Sequence, residues 1–173
     1  EVKIQAAGSN KTNKQGGSSV ITNAQIDVSN PVGPGGNVTI LGDEIAIMPG
    51  ASLDASGNSA NHLPNAYEPA AQTVEQKPRD EQEFLAHPYR GGGSIKIGGD
   101  YLGQGETQTA YNLYVAPYVW VQNDALQQGD GGRNIFWADD TTNFAGYVQA
   151  RGGIQGGHGG FVETSGKIQL NAS

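Results

Sequence analysis

Gly92-Gly93-Ser94-Ile95-Lys96-Ile97 and Gly131-Gly132-Arg133-Asn134-Ile135-Phe136-Trp137 share one pattern, a glycine doublet followed by a short run of β-forming residues. It recurs as Gly16-Gly17 before Ser18-Ser19-Val20-Ile21, Gly35-Gly36 before Asn37-Val38-Thr39-Ile40, and Gly159-Gly160 before Phe161-Val162-Glu163-Thr164. Alternation within the runs has period two, which indicates strand rather than helix. Doublet glycines are expected to supply positive φ at corners between strands.

A second signal accompanies the doublets: an apolar residue, a polar or variable one, then a small or apolar one. Examples are Ile4-Gln5-Ala6, Ile26-Asp27-Val28, Leu53-Asp54-Ala55, Val148-Gln149-Ala150 and Ile168-Gln169-Leu170, with Val121-Gln122-Asn123 as a weaker copy. Ile4 lies 22 residues before Ile26, Ile26 lies 27 before Leu53, Val121 lies 27 before Val148, and Val148 lies 20 before Ile168. Only the 68 residues from Leu53 to Val121 break the series. Self-similarity at such periods marks a solenoid. Short strands closed by glycine corners and stacked on their neighbours make a parallel β-helix, an all-β fold. About six or seven coils at the usual strand spacing would give a segment roughly 30 Å long. The competing fold is an antiparallel sandwich, whose turns fall every 8–12 residues and favour Asn-Gly or Asp-Gly hairpins. Asp130-Gly131 alone fits that pattern.

Composition agrees with a thin core and an ordering backbone ladder. Of 173 residues 27 are glycine, 36% are hydrophobic and only 16% charged, with net charge −7. Such an acidic chain lacks the basic face that nucleic-acid binding requires. With no cysteine there is no disulfide framework, thiolate metal site or cysteine nucleophile. No apolar run of about 18 residues is present to span a membrane as a helix. The glycines lack the three-residue period of collagen. The start at Glu1 has no charged-then-apolar leader, so an export signal is expected outside this sequence.

The whole chain, residues 1–173, reads as a single unit with two excursions. Residues 58–90 contain no glycine, hold Pro64, Pro69, Pro78 and Pro88, and concentrate charge from Glu68 to Arg90. This long loop insertion is either a surface cover or a recognition loop on a rigid scaffold. A short helix capped by Asp80 and docking through Phe84-Leu85 is possible within it. A smaller, threonine-rich excursion covers Gly103–Asn112.

Candidate chemistry is sparse. Asp139-Asp140 could act as a carboxylate pair, since glycoside hydrolysis needs two carboxylates flanking a bond. Neighbours on a strand point to opposite faces, however, and aspartates at a turn commonly cap backbone amides. A polysaccharide-processing enzyme would need Asp139 or Asp140 beside Asp124 or Glu163 on one outer face. Gln128-Gly129-Asp130-Gly131-Gly132 looks like one copy of a calcium-binding repeat that works only when stacked. His62, His87 and His158 are scattered, so no metal site is expected, and no cofactor is implied. Thr107-Gln108-Thr109 is a single Thr-x-Thr unit, not the repeated array of an ice-binding surface.

Aromatic residues are the stronger signal. Tyr89, Tyr101, Tyr111, Tyr114 and Trp120 are the candidate ligand-binding residues, within a run that also holds Tyr118, Phe136, Trp137, Phe144 and Tyr147. Such rings stack on sugars or protein partners; alternatively they fill the coil and shield the insertion. Asn10, Asn37 and Asn171 begin Asn-x-Ser/Thr triplets, candidate glycosylation sites in an exported chain. In a chain this rich in Ser, Thr and Asn such triplets also arise by chance.

The stretch from Gly131 to Asp140, the Gly152-Gly153 and Gly156-Gly157 doublets, and Gly159-Gly160-Phe161-Val162-Glu163-Thr164-Ser165-Gly166 together resemble the filamentous-haemagglutinin-like exoproteins. The last string is similar to one in their high-molecular-weight adhesin branch. Gly92 to Tyr101 also looks like this group. The likeness covers residues 91–170 well and 16–57 loosely, and does not extend to 58–90. It implies a right-handed parallel β-helix, two-partner secretion through an outer-membrane pore, and a role in adhesion or biofilm matrix. Some members bind host glycans or exopolysaccharide, and some are glycosylated. No family motif assigns a ligand residue here.

Lys3-Ile4-Gln5 returns as Lys167-Ile168-Gln169, 164 residues on, either as a coil-level echo or as one unit of a tandem array. The expectation is therefore a non-enzymatic, extracellular adhesin shaft from the cell surface, an interior slice of a longer protein. Its partners would be glycans, exopolysaccharide or a neighbouring cell surface, with like units pairing end to end. The alternatives are a polysaccharide-processing enzyme and a purely structural filament repeat.

Overall fold

The computed structural model describes residues 1–6, 17–59 and 91–173. Its strands fall in groups of three. The first group is β1 (Val2–Gln5), β2 (Ser18–Ile21) and β3 (Gln25–Asp27); the second is β4 (Asn37–Leu41), β5 (Glu44–Ile47) and β6 (Ser52–Asp54). The third is β7 (Ser94–Ile97), β8 (Asn112–Val115) and β9 (Trp120–Gln122), and the fourth is β10 (Arg133–Ala138), β11 (Thr141–Phe144) and β12 (Tyr147–Gln149). β13 (Phe161–Gly166) and β14 (Gln169–Ala172) follow.

Every strand pairs with its counterpart in the group before or after, always in parallel. The chain thus builds three all-parallel sheets at once. The first sheet orders β1-β4-β7-β10-β13, the second β2-β5-β8-β11-β14, and the third β3-β6-β9-β12. Five strands at about 4.8 Å make the longer sheets roughly 20 Å across, shorter than the 30 Å expected. Four described layers and the partial fifth formed by β13 and β14 fall short of the roughly six or seven coils expected. β6 in fact pairs directly with β9, so the gap holds excursions and no further layer.

Period-two burial explains the core. Val38 and Ile40, Ile95 and Ile97, Ile45 and Ile47, Leu113 and Val115, Leu53, and Val121 all point inward from their strands. They form one cluster shared by the three sheets, closed by alanines at 51, 55, 110 and 116. Phe136 is the largest fully buried side chain and meets Phe144 edge-on at 4.9 Å.

The triplet repeat is genuine only in part. Ile26, Leu53, Val121 and Val148 are register partners along the third sheet, the weaker copy included. Ile4 belongs to β1 in the first sheet, and Ile168 precedes β14 in the second. The spacings of 22 and 20 therefore compare different sheets. Likewise Lys3-Ile4-Gln5 lies within β1, whereas Lys167-Ile168-Gln169 straddles the start of β14, so the echo joins inequivalent positions.

Four doublets, Gly35-Gly36, Gly92-Gly93, Gly131-Gly132 and Gly159-Gly160, occupy one corner, where the third sheet gives way to the first. None of these eight residues has positive φ, contrary to the sequence expectation. Close approach demands them instead. A Cβ on Gly93 would collide with the Gly36 carbonyl, and one on Gly160 with the Gly132 carbonyl. Positive φ falls elsewhere, at Gly98, Gly99 and Gly103 among others.

The smaller excursion runs over residues 98–111, between β7 and β8, and contains a 3-10 turn at Tyr101–Gly103. It folds over the outer face of the first sheet, so β10 is buried on both faces. Residues 60–90 lie outside the described residues, including the Asp80–Ala86 helix expectation. The described chain leaves the corner at Ser59, whose N–H donates to Gln128 O at 2.9 Å, and re-enters at Gly91, whose N–H donates to Asp130 O at 2.8 Å.

Candidate functional site

The candidate aromatics separate into two environments. Tyr101 packs edge-on against Phe161, with ring centroids 5.7 Å apart, as part of the cover over the first sheet. Tyr111 is half-buried at the corner before β8, its N–H bonded to Asp43 O at 2.7 Å. Both are partly buried. Tyr89 and Asn10 lie outside the described residues. Tyr114 and Trp120 are exposed on the outer faces of the second and third sheets.

Two exposed aromatics complete a band with them. Tyr118 sits at the corner between those sheets, 70% exposed and at φ 63, a conformation uncommon for a bulky side chain. Tyr147 lies directly beside Trp120 in the third sheet. Their rings stack at 4.7 Å with planes 22° apart, and each remains about half exposed. The 27-residue step that carries Val121 onto Val148 also carries Trp120 onto Tyr147, so the repeat held the signal for this pair.

A polar row runs parallel to the stack. Asp27, Asp54, Gln122 and Gln149 occupy successive register positions two residues along from Gln25, Ser52, Trp120 and Tyr147. Asp27 and Asp54 each accept the backbone N–H two residues on, from Ser29 and Ser56, at 2.8 Å. The Ser29 hydroxyl and N–H hold the Asp27 carboxyl below its ordinary pKa. At the adjoining corner buried Asp124 accepts from Arg151 N at 2.6 Å, Nη2 at 2.9 Å and Nε at 3.1 Å, and from Gln149 Nε2 at 3.1 Å.

The carboxylates considered for cleavage are each held by internal donors. Asp139, at the corner after β10, accepts from Thr109 Oγ1 at 2.6 Å and Trp137 Nε1 at 3.2 Å. Asp140 accepts from the Thr141 hydroxyl at 3.0 Å. Their partners are side chains, not the backbone amides expected of turn aspartates. Glu163 lies on the outer face of the first sheet beneath the small excursion, accepting from Leu102 N at 3.2 and 3.3 Å. Burial pushes its pKa up, against the opposing pull of the Ser165 and Leu102 hydrogen bonds and the Arg133 charge. Burial also lowers the Arg133 pKa, so for both groups desolvation outweighs attraction. Asp130 is buried and accepts from His158 N at the corner before β10.

Asn37 opens β4 and is exposed. Asn171 is exposed in β14 and donates to Asn143 Oδ1 at 2.7 Å. Lys3, Gln5, Thr39, Glu106 and Gln108 line an open cleft of about 430 Å³ on the first sheet. It has no aromatic wall, so the exposed band is the better candidate for contact. No model of a known protein family matches this sequence, and no characterised protein matches it.

Proposed function

We propose that the three sheets are the faces of one right-handed parallel β-helix that serves as the shaft of an extracellular bacterial adhesin, contacting glycans or exopolysaccharide through its exposed aromatic band. Cyclic strand order, uniform parallel pairing and a single shared core support the helix; the handedness follows the general rule for parallel crossovers. Resemblance to filamentous-haemagglutinin-like exoproteins supports secretion to the cell surface. The observation that carries the contact role is the exposure of Tyr114, Tyr118, Trp120 and Tyr147 around one corner. Soluble proteins seldom leave adjacent aromatics open without a partner.

Contact is favoured over cleavage because Asp124, Asp139 and Glu163 are each held by internal donors. Among the described residues no strand pairs with the outer edges of the three sheets, and Val162 in β13, Ile168 just before β14 and Leu170 in β14 are exposed. Such edges favour pairing with further strands, in keeping with a filament. The test is attachment of chain-coated beads to a panel of polysaccharides and bacterial surfaces. Attachment should be lost in the Trp120→Ala/Tyr147→Ala double variant. Attachment insensitive to that variant, or polysaccharide turnover abolished by Glu163→Gln, would overturn the reading.

A further inference from the structure

We propose that the slot over Ser52, on the outer face of the third sheet, binds an amino-sugar ring carrying a free ammonium, as in a de-N-acetylated glucosaminan. This rests on the reading of the aromatic band as a glycan-contact surface and specifies its ligand.

The outward row of the third sheet runs Gln25, Ser52, Trp120, Tyr147. Because Trp120 and Tyr147 are stacked nearly parallel, their ring faces look along this row. Tyr147 occupies one face of Trp120. The other face looks over Ser52, the smallest side chain in the row. Gln25 bounds the slot two strand spacings from Trp120, about 9.5 Å, which is room for one flat ring.

Charge selects the occupant. Asp54 lies on the same strand and face as Ser52, about 6.8 Å along. One of its oxygens accepts from Ser56 N, and the other has no partner among the described residues. Asp27 adds a second carboxylate one strand away. Arg151, at the adjoining corner, is paired with Asp124 through Nη2 and Nε. The face is therefore aromatic and negative, which favours a cation twice, through carboxylate pairing and through the indole face. A pyranose stacked on Trp120 with its ammonium toward Asp54 uses both. The Gln25 and Gln122 amides offer donors as well as acceptors. Sugar hydroxyls can satisfy both, whereas an arginine side chain, having only donors, cannot.

Calorimetric titration of the 173-residue chain with glucosamine hexamer, N-acetylglucosamine hexamer and hexa-arginine tests this. The glucosamine hexamer should bind, with the acetylated hexamer and the peptide at least about tenfold weaker. Asp54→Asn should weaken glucosamine binding about tenfold or more, as expected on losing a charged hydrogen bond. Ser52→Phe should abolish binding without changing the far-ultraviolet circular dichroism. Equal binding of the two hexamers, tighter binding of hexa-arginine, or binding unaffected by Ser52→Phe and Asp54→Asn overturns the assignment. If glucosamine fails while another glycan binds in a Trp120-dependent way, only this inference falls. If no Trp120-dependent attachment exists at all, the adhesin reading falls with it.

Discussion

Replacing Gly93 by alanine isolates what the glycine doublets do. Gly93 stands at the corner before β7, its N–H donating to Ala55 O at 2.9 Å and its carbonyl accepting from Arg133 N at 2.9 Å. A Cβ there would run into the Gly36 carbonyl and lie 2.8 Å from the Gly35 carbonyl carbon and oxygen. These are backbone atoms of the neighbouring layer and cannot rotate away. The corner must open, stretching the adjacent bond from Ser94 N to Gly36 O at 3.1 Å. Overpacking of this kind costs about 1–3 kcal/mol, and weakening two backbone hydrogen bonds adds about 2 kcal/mol. The sum, about 3–5 kcal/mol, should lower Tm by roughly 6–20 °C in a chain of this size. Gly159 is the matched control. It belongs to an equivalent doublet, yet its added Cβ would meet only Ala150 O, at 3.7 Å, and its φ is not positive. Gly159→Ala should be neutral or stabilising by about 0.4–1 kcal/mol through the unfolded chain. Urea denaturation followed by tryptophan fluorescence compares the two. Equal stability of the variants would refute close approach as the reason for the doublets.

Phe136→Ala removes the largest fully buried side chain among the described residues and should cost about 3–5 kcal/mol in the same assay, whereas Val32→Ser, at an exposed position, should stay within about 0.5 kcal/mol. Asp124→Ala strands the Arg151 and Gln149 donors at the corner between the third and first sheets; because the Arg151 side chain is largely exposed, the expected loss is only about 1–3 kcal/mol, and Asp124→Asn should recover part of it. Glu163 faces Arg133, Asp100, Leu102 N and Ser165, and its folded pKa lies above the ordinary carboxyl value. The native state then holds its proton longer than the unfolded chain does. This contribution to stability is complete below the ordinary value and is lost as pH rises through the folded pKa. Glu163→Gln should flatten that fall, read as urea midpoints between about pH 4 and pH 7. Replacing residues 60–90 by a short glycine-rich link should leave the urea midpoint nearly unchanged, since β6 already pairs with both β3 and β9.

The three-strand period was legible because each inward position repeats an aliphatic residue at fixed spacing. It was clearest in the third sheet, where no excursion interrupts the steps from Ile26 to Leu53 and from Val121 to Val148. It failed at Ile4 and Ile168, where the same apolar–polar alternation serves another sheet; period two says that a residue is in a strand, not in which one. The corner glycines were located correctly but explained wrongly. A doublet signals special backbone, and only the stacked layers reveal that the constraint is the next carbonyl rather than φ. Trp120 was identifiable as a candidate, yet its partner Tyr147 required register. Tyr101 shows the converse: nothing in its own neighbourhood in sequence announces that the small excursion folds back onto Phe161.

The three outer faces are consequently unequal. The first sheet spends its outer face on internal structure: Arg133, Trp137 and Glu163 all engage residues 98–111. The second and third sheets receive no such cover from the described excursion and keep their aromatics open. The long glycine-free segment departs from and returns to the corner between the third and first sheets, at Ser59 and Gly91, where Gly57 already lies so close that its Cβ would stand 2.6 Å from Gly91 O. Its two ends therefore meet across one corner without breaking any ladder. The recognition proposed for the third sheet would need only the register of Ser52, Trp120 and Tyr147, which the strand pairing of β6, β9 and β12 sets. Ser52→Phe and the excision of residues 60–90 therefore test the exposed aromatic face and the glycine-free stretch one at a time.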